Sequence, residues 1–368
     1  AADVDVYVDG EFVGRDPSGL LGPFAEGMHV VSADRIGYDT LPARDVAVAV
    51  RAGEIARVGF TMEARDFGSV AVRAYDELSG REIAGAEIWR EAQPGQFQST
   101  GAVTPATVEG VPLGPARFVV RRAPEYADSG PIEVSVDNVA TVQADFTLGP
   151  PSAALAEMFT YVICPNCPQA ADELKDIEES YPAEVYLIEW HTWQSLPLYT
   201  PEGRAREQYY LGTTQPGWPL VIFQGDGANY LLGSQTATLA EYWNRVSAVR
   251  EACGNDCQVI LATESVIGAG QAAATARIKL RSGADPGGLM LRWVLVEDMV
   301  QAPGNQPHFD AVPRAVREEP VALTPGDVLV RMHPGVVLDP AWVEAELRWV
   351  VFLQSDPDGR VLAVHGSH

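Results

Sequence analysis

Strict alternation opens the chain: "DVDVYVDGEFVG" sets Val4, Val6 and Val8 between polar or amphipathic neighbours, then offers Asp9-Gly10 where a two-residue hairpin turn needs positive φ. A strand and a turn are predicted. "MHVVSADRIGYDT" and "DVAVAVRAGEIARVGFTM" keep the two-residue period, with Ala52-Gly53 dividing the latter into two strands, so residues 1–64 read as an all-β unit. "GPARFVVRRAPEYADSGPIEVSVDNVATVQADFTL" then repeats this text, with Gly114 under Gly27, Tyr126 under Tyr38 and Phe146 under Phe60. Residues 65–149 are therefore a second β-unit, and "LGPPSAA" (Leu148 to Ala154) reads as a stiff linker through its paired prolines.

From Leu155 the period changes. "AEMFTYVIC" predicts a strand; the helix after it places Cys167, Ala171, Leu174, Ile177 and Tyr181 on one face; "AEVYLIEWH" predicts a second strand. A short helix follows, with Thr200 as N-cap and Pro201 at its first position. "PGWPLVIF" and "ANYLLG" supply two more strands, and "TLAEYWNRVSAVREA" an amphipathic helix. This α/β stretch spans residues 150–254. Beyond Cys257 the alternation returns in "CQVILAT", "AAATARIKLRSG", "LMLRWVLVEDMV", "DVLVRMHPGVV" and "VEAELRWVVFLQSDPDGRVLAVHG", predicting a β-sandwich over residues 255–368.

Composition narrows the function classes. With 368 residues the chain exceeds one ordinary core and suits three or four domains of about 100 residues. A net charge of -24, with basic residues scattered rather than grouped, repels nucleic acid. No apolar stretch approaches the roughly 20 residues that span a bilayer. Ala1-Ala2-Asp3 suits a chain trimmed after a signal peptide, and a shortened piece would look the same. Four cysteines in two local pairs, Cys164/Cys167 and Cys253/Cys257, suit an oxidising compartment, although three pairings are formally open. Export is the expectation.

Chemistry concentrates in "YVICPNCPQAADEL". A cysteine at a helix N-terminus is more acidic, because unpaired amides and the helix dipole favour its thiolate. Cys164 is expected there as nucleophile, with Pro165 at the first helical position and Cys167 one turn in as the resolving partner. Pro168 stands near the edge of the tolerated first turn. Cys253 and Cys257 are expected to form a structural disulfide, closing a small loop worth about 2 kcal/mol. The dipeptides Met28-His29 and Met332-His333 do not add up to a metal site, and no nucleotide loop, zinc helix, flavin fingerprint or Ser-His-Asp set is present. No cofactor is expected.

Three resemblances sharpen these readings. "VYVDG", "GMHVV", "GYDT" and "VRAGEIARVGF", in that order, resemble the PEGA family of small surface β-domains, which implies a scaffold or binding module; the second copy, with "AGAEIW", is a looser version. The CxxC before a helix, with Pro219 opening the strand after "PGW", resembles the thioredoxin fold across Leu155 to Ala252, which implies a cis-proline at Pro219. The buried acid that thioredoxins carry six residues before the first cysteine is replaced by Met158, with Glu157 beside it on the opposite strand face. Glu189 and His191 on the next strand are candidate substitutes, although strand-end residues of these types are more often solvated or hydrogen-bonded. "ICPNCPQAADEL", "LRWVLVEDMVQAPGNQPHFDAVPRAVRE" and "LRWVVFLQSDPDGRVLAV" resemble the twenty-eight-kilodalton outer membrane protein family over Leu155 to Val364, in which His308 matches a histidine of unassigned role. That resemblance implies an exported envelope protein and no particular reaction.

The expected architecture is multidomain: two small PEGA-like β-sandwiches, a thioredoxin-fold α/β domain and a C-terminal β-sandwich. Two functions compete. One is a structural or partner-binding component of the envelope or a surface assembly, with a redox-capable CxxC and protein partners. The other is an extracytoplasmic thiol-disulfide oxidoreductase using Cys164, Cys167 and Pro219.

Overall fold

A computed structural model describes residues 4–15, 21–35, 38–64, 66–214, 216–253, 257–283, 285–303 and 308–367. The chain is mostly β and divides into two compact units. One runs to Tyr75 and includes Arg81–Arg121 and Ser129–Thr147; the other comprises Asp76–Gly80, Arg122–Asp128 and Leu148 onward. No helix among the described residues is long and apolar enough to cross a membrane.

In the first unit, β1 (Asp5–Val8), β2 (Glu11–Arg15), β3 (Gly27–Asp34), β4 (Tyr38–Leu41), β5 (Asp45–Val50) and β6 (Thr61–Ala64) make the leading module. Its main sheet runs β2-β1-β3-β5, while β4 pairs with β6. Asp9 and Gly10 turn the β1–β2 hairpin with φ of 53° and 83°, as the dipeptide requires. Among the described residues of this module only Val6, Val8 and Ala33 are buried apolar side chains. The strand expected after Ala52-Gly53 forms only at its far end, in β6; Ile55 and Val58 stand exposed. Alternation names a face, and a strand forms only where a partner edge is available.

The second β-unit contains β7 (Phe67–Asp76), β8 (Glu87–Gln93), β9 (Gln96–Val103), β10 (Ala106–Pro112), β11 (Gly114–Arg121), β12 (Ile132–Val136) and β13 (Val142–Leu148). They form a β10-β7-β13 sheet and a β12-β11-β8-β9 sheet. Gly27 and Gly114 start corresponding strands, and both have positive φ. The antiparallel pair β3–β5 corresponds to β11–β12. The second copy fills its core far better, with Val70, Val72, Ile88, Phe118 and Phe146 all sealed from solvent.

The second unit begins with β14 (Ala154–Thr160), α1 (Cys167–Ser180) and β15 (Val185–His191), a right-ordered β-α-β pair of parallel strands. Next come α2 (Pro201–Leu211), β16 (Leu220–Phe223), β17 (Leu231–Leu232) and α3 (Thr236–Cys253). The sheet order is β15-β14-β16-β17, with β16 antiparallel to β14. Thr200 caps α2 as expected, its hydroxyl accepting from Gly203 N at 3.1 Å. The remaining strands are β18 (Val259–Gly268), β19 (Gln271–Leu280), β20 (Leu289–Glu297), β21 (Val312–Val321), β22 (Val328–Met332), β23 (Val336–Val337), β24 (Leu347–Ser355) and β25 (Val361–Ser367). They build a β18-β19-β22 sheet, with β23 also on β19, facing a β21-β20-β24-β25 sheet. β21 was legible in the sequence only as a motif, not as a strand.

The expected boundary at 254/255 falls inside this one unit. Val294, Val296, Val350 and Phe352 pack into the same core as Phe159, Tyr186 and Trp190, while Leu291, Trp293, Leu295, Trp349, Val351 and Leu353 fill the core of the sandwich. Strands β20 and β24 are thus buried on both faces, which explains their near-continuous apolar text "LRWVLV" and "LRWVVFL". The Cys253 side chain and residues 254–256 lie outside the described residues, and with them the expected Cys253–Cys257 pairing.

Truncation on either face of β24 is therefore expected to destabilise the whole unit. Phe352→Ala should cost about 3–5 kcal/mol and Leu353→Ala about 2–5 kcal/mol. In urea, helical circular dichroism and tryptophan fluorescence should shift together in both variants. His333 is buried against Trp293 and Trp349, at 5.6 and 4.7 Å between ring centres. Burial, then the nearby Arg317 charge, hold its imidazole below the ordinary 6.5. The unfolded chain therefore binds this proton first, and stability should fall as pH drops below about 6.5. A urea midpoint measured against pH should lose this component in His333→Phe.

Candidate functional site

The end of the mixed sheet where β14 and β15 finish carries the CxxC. Leaving β14, the chain turns so that Cys164 N donates to Tyr161 O at 2.9 Å. Cys164 and Cys167 are joined in a disulfide, with Cα atoms 5.4 Å apart. Helix α1 starts later than expected. Asn166 is its N-cap and Cys167 its first residue, so Cys164 sits in the turn before the helix. Pro165 precedes the helix, and Pro168 occupies the first turn, where a missing N–H costs no intrahelical bond. Cys164 is 1% exposed and Cys167 0%.

Pro219 follows a cis Trp218–Pro219 bond. Because Leu220 pairs with Phe159, Pro219 and Trp218 stand beside the end of β14. Three rings gather there: Tyr161 lies 5.0 Å from Trp193 and 5.2 Å from Trp218, and the two tryptophans are 5.5 Å apart. Trp193 is 45% exposed and neighbouring Ile163 55%. Trp218 Nε1 donates to Thr192 Oγ1 at 3.2 Å, and Thr192 N donates to Thr160 O at 3.0 Å. Glu207 of α2 sits beneath them. Burial raises its carboxyl above the ordinary range, against hydrogen bonds from Arg204, Thr192 and Trp218. Nothing in "GRAREQ" signalled Glu207, since helix text full of charge reads as a solvated face.

Glu189 and His191 are brought to the same end of the sheet, both fully buried. His191 Nε2 lies 3.3 Å from Glu189 Oε1, and the imidazole meets the edge of Phe309 at 5.1 Å between ring centres. His308 is separate, 3.4 Å from Asp310 at the half-buried end of the β20–β21 connection.

Glu157 lies on the opposite face of the sheet from Glu189. Its Oε1 accepts from Trp190 Nε1 at 3.0 Å and Arg206 Nε at 2.7 Å, and its Oε2 from Arg206 Nη2 at 2.9 Å and from the Tyr210 hydroxyl. Although burial opposes the charge, Glu157 and Tyr210 hold the Arg206 guanidinium above its ordinary value. Arg206 Nη1 and Arg292 Nε share Gln354 Oε1 at 2.6 and 2.7 Å, which ties α2 to β20 and β24. At the other end of the same interface Arg348 Nη2 reaches Glu178 Oε1 at 2.9 Å and its Nε reaches Asp298 at 3.2 Å. Arg206→Met should leave Glu157 buried without its cation and cost about 3–5 kcal/mol. Adding Glu157→Leu should restore much of that loss in the same urea titration.

Among the described residues no cluster of histidine, cysteine and carboxylate side chains could hold a metal ion. Met332 is exposed while His333 is buried, so that dipeptide points to opposite faces.

No protein-family model matches the chain. A search of curated proteins likewise finds no match. Among solved structures, the chain is similar to protein AGR_C_4864 from Agrobacterium tumefaciens, with 15% identity and a TM-score of 0.42 over 59% of this chain and 93% of that one. It is also similar to HBP35 of Porphyromonas gingivalis, with 13% identity and a TM-score of 0.46 over 60% and 76%. A shaft pilin, spaA of Lactobacillus rhamnosus GG, aligns at 12% identity and a TM-score of 0.22 over 33% and 62%.

Proposed function

We propose that the protein is an exported component of the cell envelope or surface, in which PEGA-like β-modules accompany a thioredoxin-like module that binds a protein partner and carries a redox-capable disulfide. The order β-α-β-α-β-β-α, the CxxC at the first helix and the cis proline support the thioredoxin-like reading. The Cys164–Cys167 disulfide fits an oxidising compartment. The observation that carries the functional choice is exposed Trp193, backed by the half-buried rings of Tyr161 and Trp218, with exposed Ile163 next to a disulfide that is itself sealed. Aromatic side chains half in water supply binding area at low entropic cost. A sealed sulfur is a poor target for an incoming thiolate, since exchange needs access.

The buried pair Glu189 and His191 beside the CxxC favours the second reading, an extracytoplasmic thiol-disulfide oxidoreductase with Cys164 attacking and Cys167 resolving. Thiol trapping in graded redox buffers separates the two, with Cys253→Ser/Cys257→Ser isolating the signal. The expected result is a Cys164/Cys167 couple that can be reduced, at or above about -300 mV, with turnover of a model disulfide substrate near the buffer background. Turnover that is robust and abolished by Cys164→Ser would overturn the binding reading. Trp193→Ala is expected to weaken partner capture at least tenfold with the couple unchanged.

A further inference from the structure

The outer face of the β18-β19-β22 sheet is covered over one half only. Leu261, Ile278 and Leu329 point into the sandwich core, so their neighbours along each strand point outward. At one end of this face Ile260, Lys279 and Val328 stand in one row across the three strands. There the chain's own Asp76–Gly80 turn lies on the sheet. Leu78 packs with Ile260, Ala262 and Val328, and Glu77 holds Lys279 Nζ at 3.3 Å and Arg281 Nη2 at 2.6 Å. Leu78 and Ile260 are buried as a result.

The rest of the face continues the same pattern without a cover. Arg277 stands opposite Val330, and Thr275 lies between Glu264 and Met332. Val266 follows opposite Ala273, and Val337 opposite Gln271. Val266, Met332 and Val337 are 76%, 73% and 78% exposed, and Val330 is 43% exposed. Single exposed aliphatic side chains are ordinary, whereas four on one continuous sheet face mark an interaction surface. The covered end shows what the open part lacks: a carboxylate for its cation and an aliphatic side chain for its apolar positions. Arg277 Nε is buried and has no hydrogen-bond partner among the described residues. Glu264 Oε1 is 3.8 Å from it, beyond hydrogen-bond range.

We infer that a second copy of this chain docks on the open part of the face. The surface carries both sides of such a contact. Glu264 and Val266 on β18 supply an exposed carboxylate and an exposed aliphatic side chain, as Glu77 and Leu78 do at the covered end. Arg277, Val330 and Met332, on the other side of the sheet's centre line, supply the cation and the apolar seat. A twofold axis along β19 lays β18 of each copy over β22 of the other. Each Glu264 then faces the partner copy's Arg277, and each Val266 the partner copy's Met332, the isologous arrangement of a symmetric dimer. Charge selects the same occupant. Each chain carries -24, so two copies repel over most of their surface, while the outward positions of this open part hold one acid, Glu264, and one base, Arg277. The Met332-His333 dipeptide is divided accordingly: His333 is buried against the sandwich tryptophans and Met332 is turned out to the second copy.

The test is sedimentation velocity of the full chain from about 1 to 100 µM, a range suited to an interface at the small end of the specific class. The samples are wild type, Val266→Glu, Met332→Glu, Arg277→Glu and the exchange Glu264→Arg/Arg277→Glu. Wild type is expected to pass from monomer to dimer as concentration rises. Val266→Glu and Met332→Glu should each weaken the dimer at least about tenfold, because the contact would bury an unpaired carboxylate. Both replace side chains that stand mostly in water, so the fold is retained, with circular dichroism as the check. Arg277→Glu should weaken the dimer likewise, and the exchange should restore it. A wild type that stays monomeric at the highest concentration overturns the inference, and so does a dimer that neither Val266→Glu nor Met332→Glu weakens. A dimer that Arg277→Glu breaks and the exchange fails to restore overturns the twofold pairing.

Discussion

The burial of one sheet on both faces is the constraint on which the second unit depends. β20 and β24 send Val294, Val296, Val350 and Phe352 into the core of the mixed sheet and Trp293, Leu295, Trp349 and Val351 into the core of the sandwich. A sheet that fills two cores cannot be detached from either without exposing a full apolar face. The CxxC module is thereby fixed to a rigid support rather than hung on a linker. Ion networks at the two ends of that interface set its register, Arg206 with Glu157 and Gln354 at one and Arg348 with Glu178 and Asp298 at the other. Buried charges of this kind add little net stability but penalise any other alignment of the layers.

The same architecture shapes the candidate site. Ala311, just before β21, lies at the outer edge of β15, where its carbonyl accepts from Glu189 N at 3.0 Å. Phe309 and Val312 join Val162 in a small apolar cluster beside His191. Water is kept from the cluster by residues of the sandwich as well as by α1. Trp193 stays at the surface, with Tyr161 and Trp218 half-buried beside it and Trp218 held by Thr192 and Glu207. The site thus presents a binding rim outside and titratable groups inside.

Most elements were legible because their causes are local. Asp9-Gly10 turned the first hairpin, Thr200-Pro201 began α2, and the period change at Leu155 marked the β-α-β pair. The start of α1 was misplaced by two residues, since Pro165 and Pro168 both tolerate a first turn and only the turn formed by Cys164 N and Tyr161 O decides between them. The missing strand near Ile55 failed for the opposite reason: its alternation was sound and no edge received it.

By itself the sequence determined what depends on neighbours along the chain: the strand periods, the helix caps, the position of the CxxC and the proline that opens β16. Only the tertiary structure decided that "LRWVLV" and "LRWVVFL" are buried on two sides, that Glu157 is tied to Arg206, that Glu207 is buried, and that Glu189 and His191 are buried side by side. Each of these is set by which residue a strand or helix meets across space. Linear text carries no record of that until the layers close.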